Sequence, residues 1–309
     1  MVLVTTLLLL AAGCATPPPA SRTSPNSEQI DLGASSIEIQ FEPHLPLPRP
    51  VIVDWVRRAS LATSTIFARF PVNHLVISVH FGGSDPVSDG VTHGASRIDV
   101  NLGSSAHRAD LDRDWILTHE MFHLAFPTLD DRYLWMNEGL SDYLEPIARA
   151  RAGQWSANEA WLEFVEGLPQ GLPEPGEGGL DGSKRRERIY WGGNIYWLLA
   201  DVEIRARTDN RRSLDDALRA ILAAGGNGDT VWTPEKVFAT AQSATGTTVL
   251  GDLYQQYGPK PGVTDLKTLW QKLGVKKRHG RVSFDDTASW AKLRAAVTAP
   301  TSPKRAALP

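Results

Sequence analysis

The sequence predicts an α+β protein, a small twisted sheet followed by a mostly helical C-terminal half. Two patterns say so. Strand-like stretches of apolar and β-branched residues lie before residue 103, and beyond residue 110 apolar residues recur at helical spacing instead. The composition allows it: 309 residues, 42% hydrophobic and 22% charged, supply enough apolar surface for a sizeable core.

The chain opens on an apolar run that ends in Ala11, Ala12 and Gly13, followed by Cys14, the only cysteine. It reads as the apolar region and cleavage site of an export signal, too short to span a bilayer. Small residues directly ahead of a lone cysteine resemble the lipobox of bacterial lipoproteins. That resemblance implies a signal peptide over residues 1–14, acylation of Cys14 and membrane attachment through it. It also implies a cell-envelope location facing the periplasm, with Ala15 favouring the outer membrane. A single cysteine excludes a disulfide within the chain. Residues 15–29, rich in Pro, Ser and Thr, read as an extended, solvated tether.

Ordered structure is expected from residue 30 to 297, with 30–127 supplying the sheet and a central helix and 128–297 a helical subdomain. Alternation over residues 36–41 predicts a strand, and helical spacing over 51–70 a helix that Pro71 closes. Residues 75–81 and 96–102 predict two further strands, the second an edge strand, with residues 82–86 a loop. Helices are expected over 114–126, 134–150, 188–207, 214–224 and 266–273. The Gly/Pro-rich stretch 167–182 is long for a connection and reads as a mobile loop or lid. Residues 298–309 read as a disordered tail.

Chemistry concentrates in the helix over 114–126, which carries His119, Glu120 and His123. Asp110, Asp112 and Asp114 ahead of it supply acids favourable to a helix start, and Pro127 stops it. Residues four apart share a helix face, so both imidazoles can reach one ion while Glu120 projects beside them as a general base. Such a zinc site needs a third protein ligand. Glu138 supplies it, fourteen residues beyond His123, far enough for the chain to turn and return a second helix alongside. Asp142, one turn after Glu138, is placed to accept the far N–H of His119 and orient the ring.

His-Glu-x-x-His followed by Asn137-Glu138-Gly139 resembles the gluzincin zinc metallopeptidases of clan MA, among them the aminopeptidase N and glycyl aminopeptidase group. The segment from Glu138 to Asp142 is similar to the thermolysin-type third-ligand segment. The likeness covers roughly residues 70–275. It implies a gluzincin, thermolysin-like catalytic domain with Zn2+ as cofactor and a peptide or protein as substrate. Tyr190, in Tyr190-Trp191-Gly192-Gly193, is similar to the tyrosine of those aminopeptidases that stabilises the tetrahedral intermediate; an aromatic core layer with Trp191, Tyr196 and Trp197 is the competing reading. The group also carries a strand whose glutamate holds the substrate's free amine. The comparable stretch here, Thr92 to Ser96, has no acid, and the large N-terminal β domain has no counterpart.

A net charge of −3 offers no basic excess for nucleic acid, which is excluded as a partner. The leading expectation is a zinc-dependent peptidase of the bacterial cell envelope with Glu120 activating the attacking water. The alternative is a lipid-anchored scaffold or binding protein whose zinc is structural or lost. Among the remaining histidines, His93 is the one nearest the expected cleft.

Overall fold

A computed structural model describes residues 25–300. The expected signal peptide and lipidation site at Cys14, most of the expected tether and the chain beyond residue 300 lie outside the described residues. Five strands form one sheet in the order β1 (Ser27–Asp31), β2 (Ser36–Phe41), β3 (His74–Phe81), β5 (Arg97–Leu102), β4 (Val87–His93). The three central strands β2, β3 and β5 run parallel to one another, and the outer two pair antiparallel.

Two strands of this sheet escaped the sequence pattern. β1 begins at Ser27, inside the expected tether, and is anchored by Arg49, which donates to the Pro25 carbonyl and the Asn26 side chain. β4 contains almost no apolar residue because neither of its faces is deeply buried. It covers the side of β5 opposite β3, so the strand over 97–102 is internal and β4 is the edge, which corrects the expectation.

Alternation decides which face of the sheet is covered. Ile37, Ile39, Leu75, Ile77, Val79, Ile98 and Val100 point to the side where helix α1 (Arg49–Phe67) lays Ile52, Trp55, Val56 and Ala59. The opposite face carries His80, Arg97, Asp99 and Asn101 and is open to water. α1 stops at Phe67, with Ala68 left-handed at φ 59°, before Pro71 is reached.

The helix expected over 114–126 is shorter. α2 (Arg108–Arg113) breaks before it, and α3 (Ile116–His123) starts on Asp114, whose carboxylate accepts the free N–H groups of Ile116 (3.0 Å) and Leu117 (3.1 Å). The helical half comprises α4 (Leu134–Arg151), α5 (Ala157–Gly167), a π-helical turn (Arg188–Gly192) running into α6 (Gly193–Arg207), α7 (Leu214–Ala223), α8 (Pro234–Thr245), α9 (Val249–Tyr257), α10 (Leu266–Leu273) and α11 (Ala291–Val297). A hairpin, β6 (Val275–Arg278) and β7 (Arg281–Phe284), interrupts it. No helix among the described residues is long and apolar enough to cross a membrane.

The stretch 167–182 is not a free lid. Leu180 is fully buried, and Asp181 accepts hydrogen bonds from Trp135 Nε1 (3.0 Å) and the Tyr254 hydroxyl (2.8 Å). Its glycines and prolines serve a folded path across the helices, not looseness.

α4 and α6 touch backbone to backbone. A Cβ on Gly139 would lie 2.4 Å from Gly193 Cα, and one on Gly193 would lie 2.2 Å from the Trp135 carbonyl oxygen. Below this crossing the Tyr143 hydroxyl donates to Asp201 (2.9 Å), which also accepts from Arg205 and from the Leu214 N–H. The Gly139–Gly193 contact brings Glu138 and Tyr190 to the same level of the cleft. Replacing Gly193 by Ala should cost about 1–3 kcal/mol through overpacking, read as a lowered Tm. Gly251 in α9 has open space around it, and Gly251→Ala should raise Tm slightly.

Candidate metal centre

α3 is shared between two apolar clusters. Leu117 and Met121, with Leu124 just beyond the helix, join the sheet core, while Phe122, with Ala125 and Phe126 just beyond, joins the helical core. The remaining stripe, His119, Glu120 and His123, faces the cleft between them. The ligand atoms of these three residues lie within 4.8 Å of one another.

α4 closes the set. Glu138 Oε2 lies 3.2 Å from His119 Nε2 and 3.8 Å from His123 Nε2. Donor atoms around a tetrahedral zinc, each about 2.0–2.1 Å from the ion, sit about 3.3 Å apart, a spacing that the two Glu138 distances approach. Both rings are held from behind by α4. Asp142 Oδ1 lies 3.0 Å from His119 Nδ1, at ion-pair distance though off the line of a good hydrogen bond. Ser141 Oγ lies 3.4 Å from His123 Nδ1. With both Nδ1 atoms turned to α4, both Nε2 atoms are left for the cleft. Trp115 meets the His119 ring edge-on at 5.3 Å.

The electrostatics are those of a cation site holding a proton. Burial opposes charge on His119, but the Asp142 and Glu138 carboxylates overcome it and lift the ring to about 10. Burial and the neighbouring His119 charge push His123 down. Burial works against Glu138 ionisation, yet the two histidines hold its carboxyl down at about 2.

Glu120 projects into a cavity of about 360 Å³ lined also by Gly90, Thr92, His123, Glu138 and Tyr190. The Thr92 hydroxyl lies 2.7 Å from Glu120 Oε2 and 2.9 Å from its carbonyl oxygen, fixing the carboxylate against β4. A Cβ on Gly90 would lie 2.7 Å from Glu120 Cγ, so the strand passes the acid only because a glycine stands there. Neither residue carries a sequence signal of its own: Thr92 enters the sequence reading only as the start of a stretch without an acid, and Gly90 not at all. His93 is turned to Asp99 at 3.1 Å and does not line this cavity.

Tyr190 sits in the π-helical turn, where one extra residue per turn swings it out of the α6 line. Its ring stacks on His119 (6.1 Å between centroids, 18° between planes), and its hydroxyl lies by Glu138. Burial and that carboxylate push its pKa up, so the phenol stays a donor. The structure therefore brings together all six residues singled out by the motifs: His119, Glu120, His123, Glu138, Asp142 and Tyr190.

The fold resembles that of M1 peptidase domains at low sequence identity. An aminopeptidase N family protein from Idiomarina loihiensis superposes with a TM-score of 0.63 at 15% identity over 81% of this chain and 49% of its own. A mutant M1 zinc metallopeptidase from Deinococcus radiodurans gives 0.52 at 12% identity, covering 77% of this chain and 52% of its own. Native yeast LTA4 hydrolase gives 0.52 at 15% identity, covering 77% and 40%. The chain thus spans about half the length of these proteins or less. No protein-family model matches the sequence, and no curated protein matches it.

Zinc must displace the proton on His119, so affinity should rise with pH up to about 10, and binding near neutrality should release close to one proton per ion. Calorimetry in buffers of different ionisation enthalpy reads this directly. Asp142→Asn should weaken zinc binding by about 10–100-fold. An affinity indifferent to pH between about 6 and 9 would contradict the protonation assigned to His119.

Proposed function

We propose that the protein is a zinc-dependent peptidase that hydrolyses peptide bonds of peptides or proteins, acting in the bacterial cell envelope from a lipid anchor at Cys14. The observation that carries the reading is that Glu120 and Tyr190 line one cavity with His123 and Glu138, Tyr190 stacking on His119. The envelope location rests on the sequence of residues 1–14.

His119, His123 and Glu138 would hold the ion, which when bound supplies Lewis acidity and lowers the pKa of water. Glu120, held by Thr92, takes the proton of the attacking water and delivers it to the leaving amine. Tyr190 donates to the carbonyl oxygen as charge builds there, a contribution of about 3 kcal/mol for one well-placed donor. The free edge of β4 offers main-chain groups to an extended peptide beside the site.

A scaffold with structural zinc would need only the three ligands. It gives no role to an acid held by Thr92 and facing the cleft, nor to a protonated tyrosine beside it.

The test is digestion of a mixed peptide library by zinc-loaded protein. Glu120→Gln should abolish cleavage while zinc content stays at one per chain, and Tyr190→Phe should lower kcat about 100-fold with KM little changed. Bound zinc with no cleavage by the wild type would favour the scaffold.

A further inference from the structure

Behind Tyr190 lies a second cavity of about 640 Å³, larger than the catalytic one and within the range of ligand sites. Tyr190 lines both, so the two meet at the reacting centre. The direction in which a peptide would reach it follows from the strand and helix. Gly90 lies against Ile116 and Glu120, whereas Gly94 reaches His123 through Gly228, so β4 and α3 run the same way. A peptide added antiparallel to β4 would place its amino-terminal part by Gly94 and its carboxyl-terminal part past Gly90. That second part heads for Trp115, at the start of α3, and Trp115 lines the second cavity.

The walls of this cavity join indole rings to carboxylates. Trp115, Trp155 and Trp191 supply the rings. Glu145, 6% exposed, accepts from Arg149 at 2.8 Å through Oε1, and its other oxygen has no hydrogen-bond partner among the described residues. Glu163 and Glu187 line the cavity with no hydrogen bond or ion pair among the described residues. Two arginines also border it: Arg186 lies 5.4 Å above the Tyr190 ring, and Arg113 is solvent-exposed. Burial pushes the Glu145 carboxyl up to about 7 in spite of Arg149. Arg149 already covers the Trp155 face at 3.9 Å, so the partnerless Glu163 and Glu187 and the free oxygen of Glu145 are the groups in this indole-walled cavity that gain from an incoming cation.

We propose that this cavity receives the residues on the carboxyl side of the cleaved bond and selects lysine or arginine there, with Glu163, Glu187 and the free oxygen of Glu145 as the selecting groups. The inference rests on the peptidase reading. It makes the enzyme one that needs chain beyond the cut and prefers that chain to be basic.

The experiment is library digestion by zinc-loaded wild type and by the E163Q/E187Q variant, both changes lying at exposed positions. Cut sites are read by mass spectrometry. Lysine and arginine should be enriched about tenfold over glutamate within the first three positions after the cut, and the ratio should fall to about twofold in the variant. A flat ratio in the wild type, or a ratio the variant leaves intact, overturns the inference while the peptidase reading stands. Cuts only at a fixed distance from the peptide carboxyl terminus would overturn it too, since the bordering arginines would then be the selecting groups. If nothing is cleaved, the peptidase reading fails instead. The cavity is then tested by quenching of tryptophan fluorescence with a lysine-rich and a glutamate-rich peptide, where equal responses would reject the cation preference.

Discussion

The structure turns on one short helix with three obligations. α3 has only eight residues, yet one side of it completes the core under the sheet and another, continued by Ala125 and Phe126, completes the helical core. What is left is a single stripe, and that stripe carries His119, Glu120 and His123. Because both flanks are fixed by close packing, the imidazoles have little freedom to drift. The N-terminal end of α3 is held equally firmly: Asp114 caps it, Trp55 Nε1 donates to the same carboxylate, and Arg149 reaches from α4 to the carbonyls of Asp112 and Arg113. The candidate metal donors are thus aligned by groups that lie outside the donor set.

α4 performs the complementary task. It brings Glu138 to the front of the histidines and Ser141 and Asp142 to their backs, all within little more than one turn. A helix can do this only if its neighbour comes close enough to bring Tyr190 alongside, and the bare backbone contact of Gly139 with Gly193 allows that approach. The proposed base, ligands and oxyanion donor therefore come from three elements, β4 adding the threonine that bonds the proposed base.

The sequence was most legible where geometry is local. His119, Glu120 and His123 are bound to one another by helical spacing, and Glu138 and Asp142 by the same rule on a second helix, so all five could be read without a fold. Tyr190 needed a family resemblance, because nothing in local spacing relates it to Glu138. β1 and β4 were invisible for a physical reason: edge strands bury one side poorly, and alternation fades when burial does. The stretch 167–182 misled in the opposite sense. Its composition is that of a loose loop, but Leu180 and Asp181 tie it to the core through contacts with residues about fifty to eighty positions away. Thr92 and Gly90 carry no signal of their own; their roles exist only because the sheet edge passes beside α3.

The π-helical turn at Arg188–Gly192 has a consequence for how such a chain can change. It is one residue longer than the α-helical turn it replaces, and Tyr190 lies within it. Loss of one residue here would let the helix run regularly into α6, keeping every core contact from Ile195 onward. Each residue of an α-helix turns about 100°, so the side chains ahead of the deletion would rotate by that amount and carry the tyrosine off the histidines. A single codon deleted at this point would leave His119, His123 and Glu138 on their own helices, turn the proposed oxyanion donor elsewhere, and cost the buried Arg188 its bond to the Gly171 carbonyl.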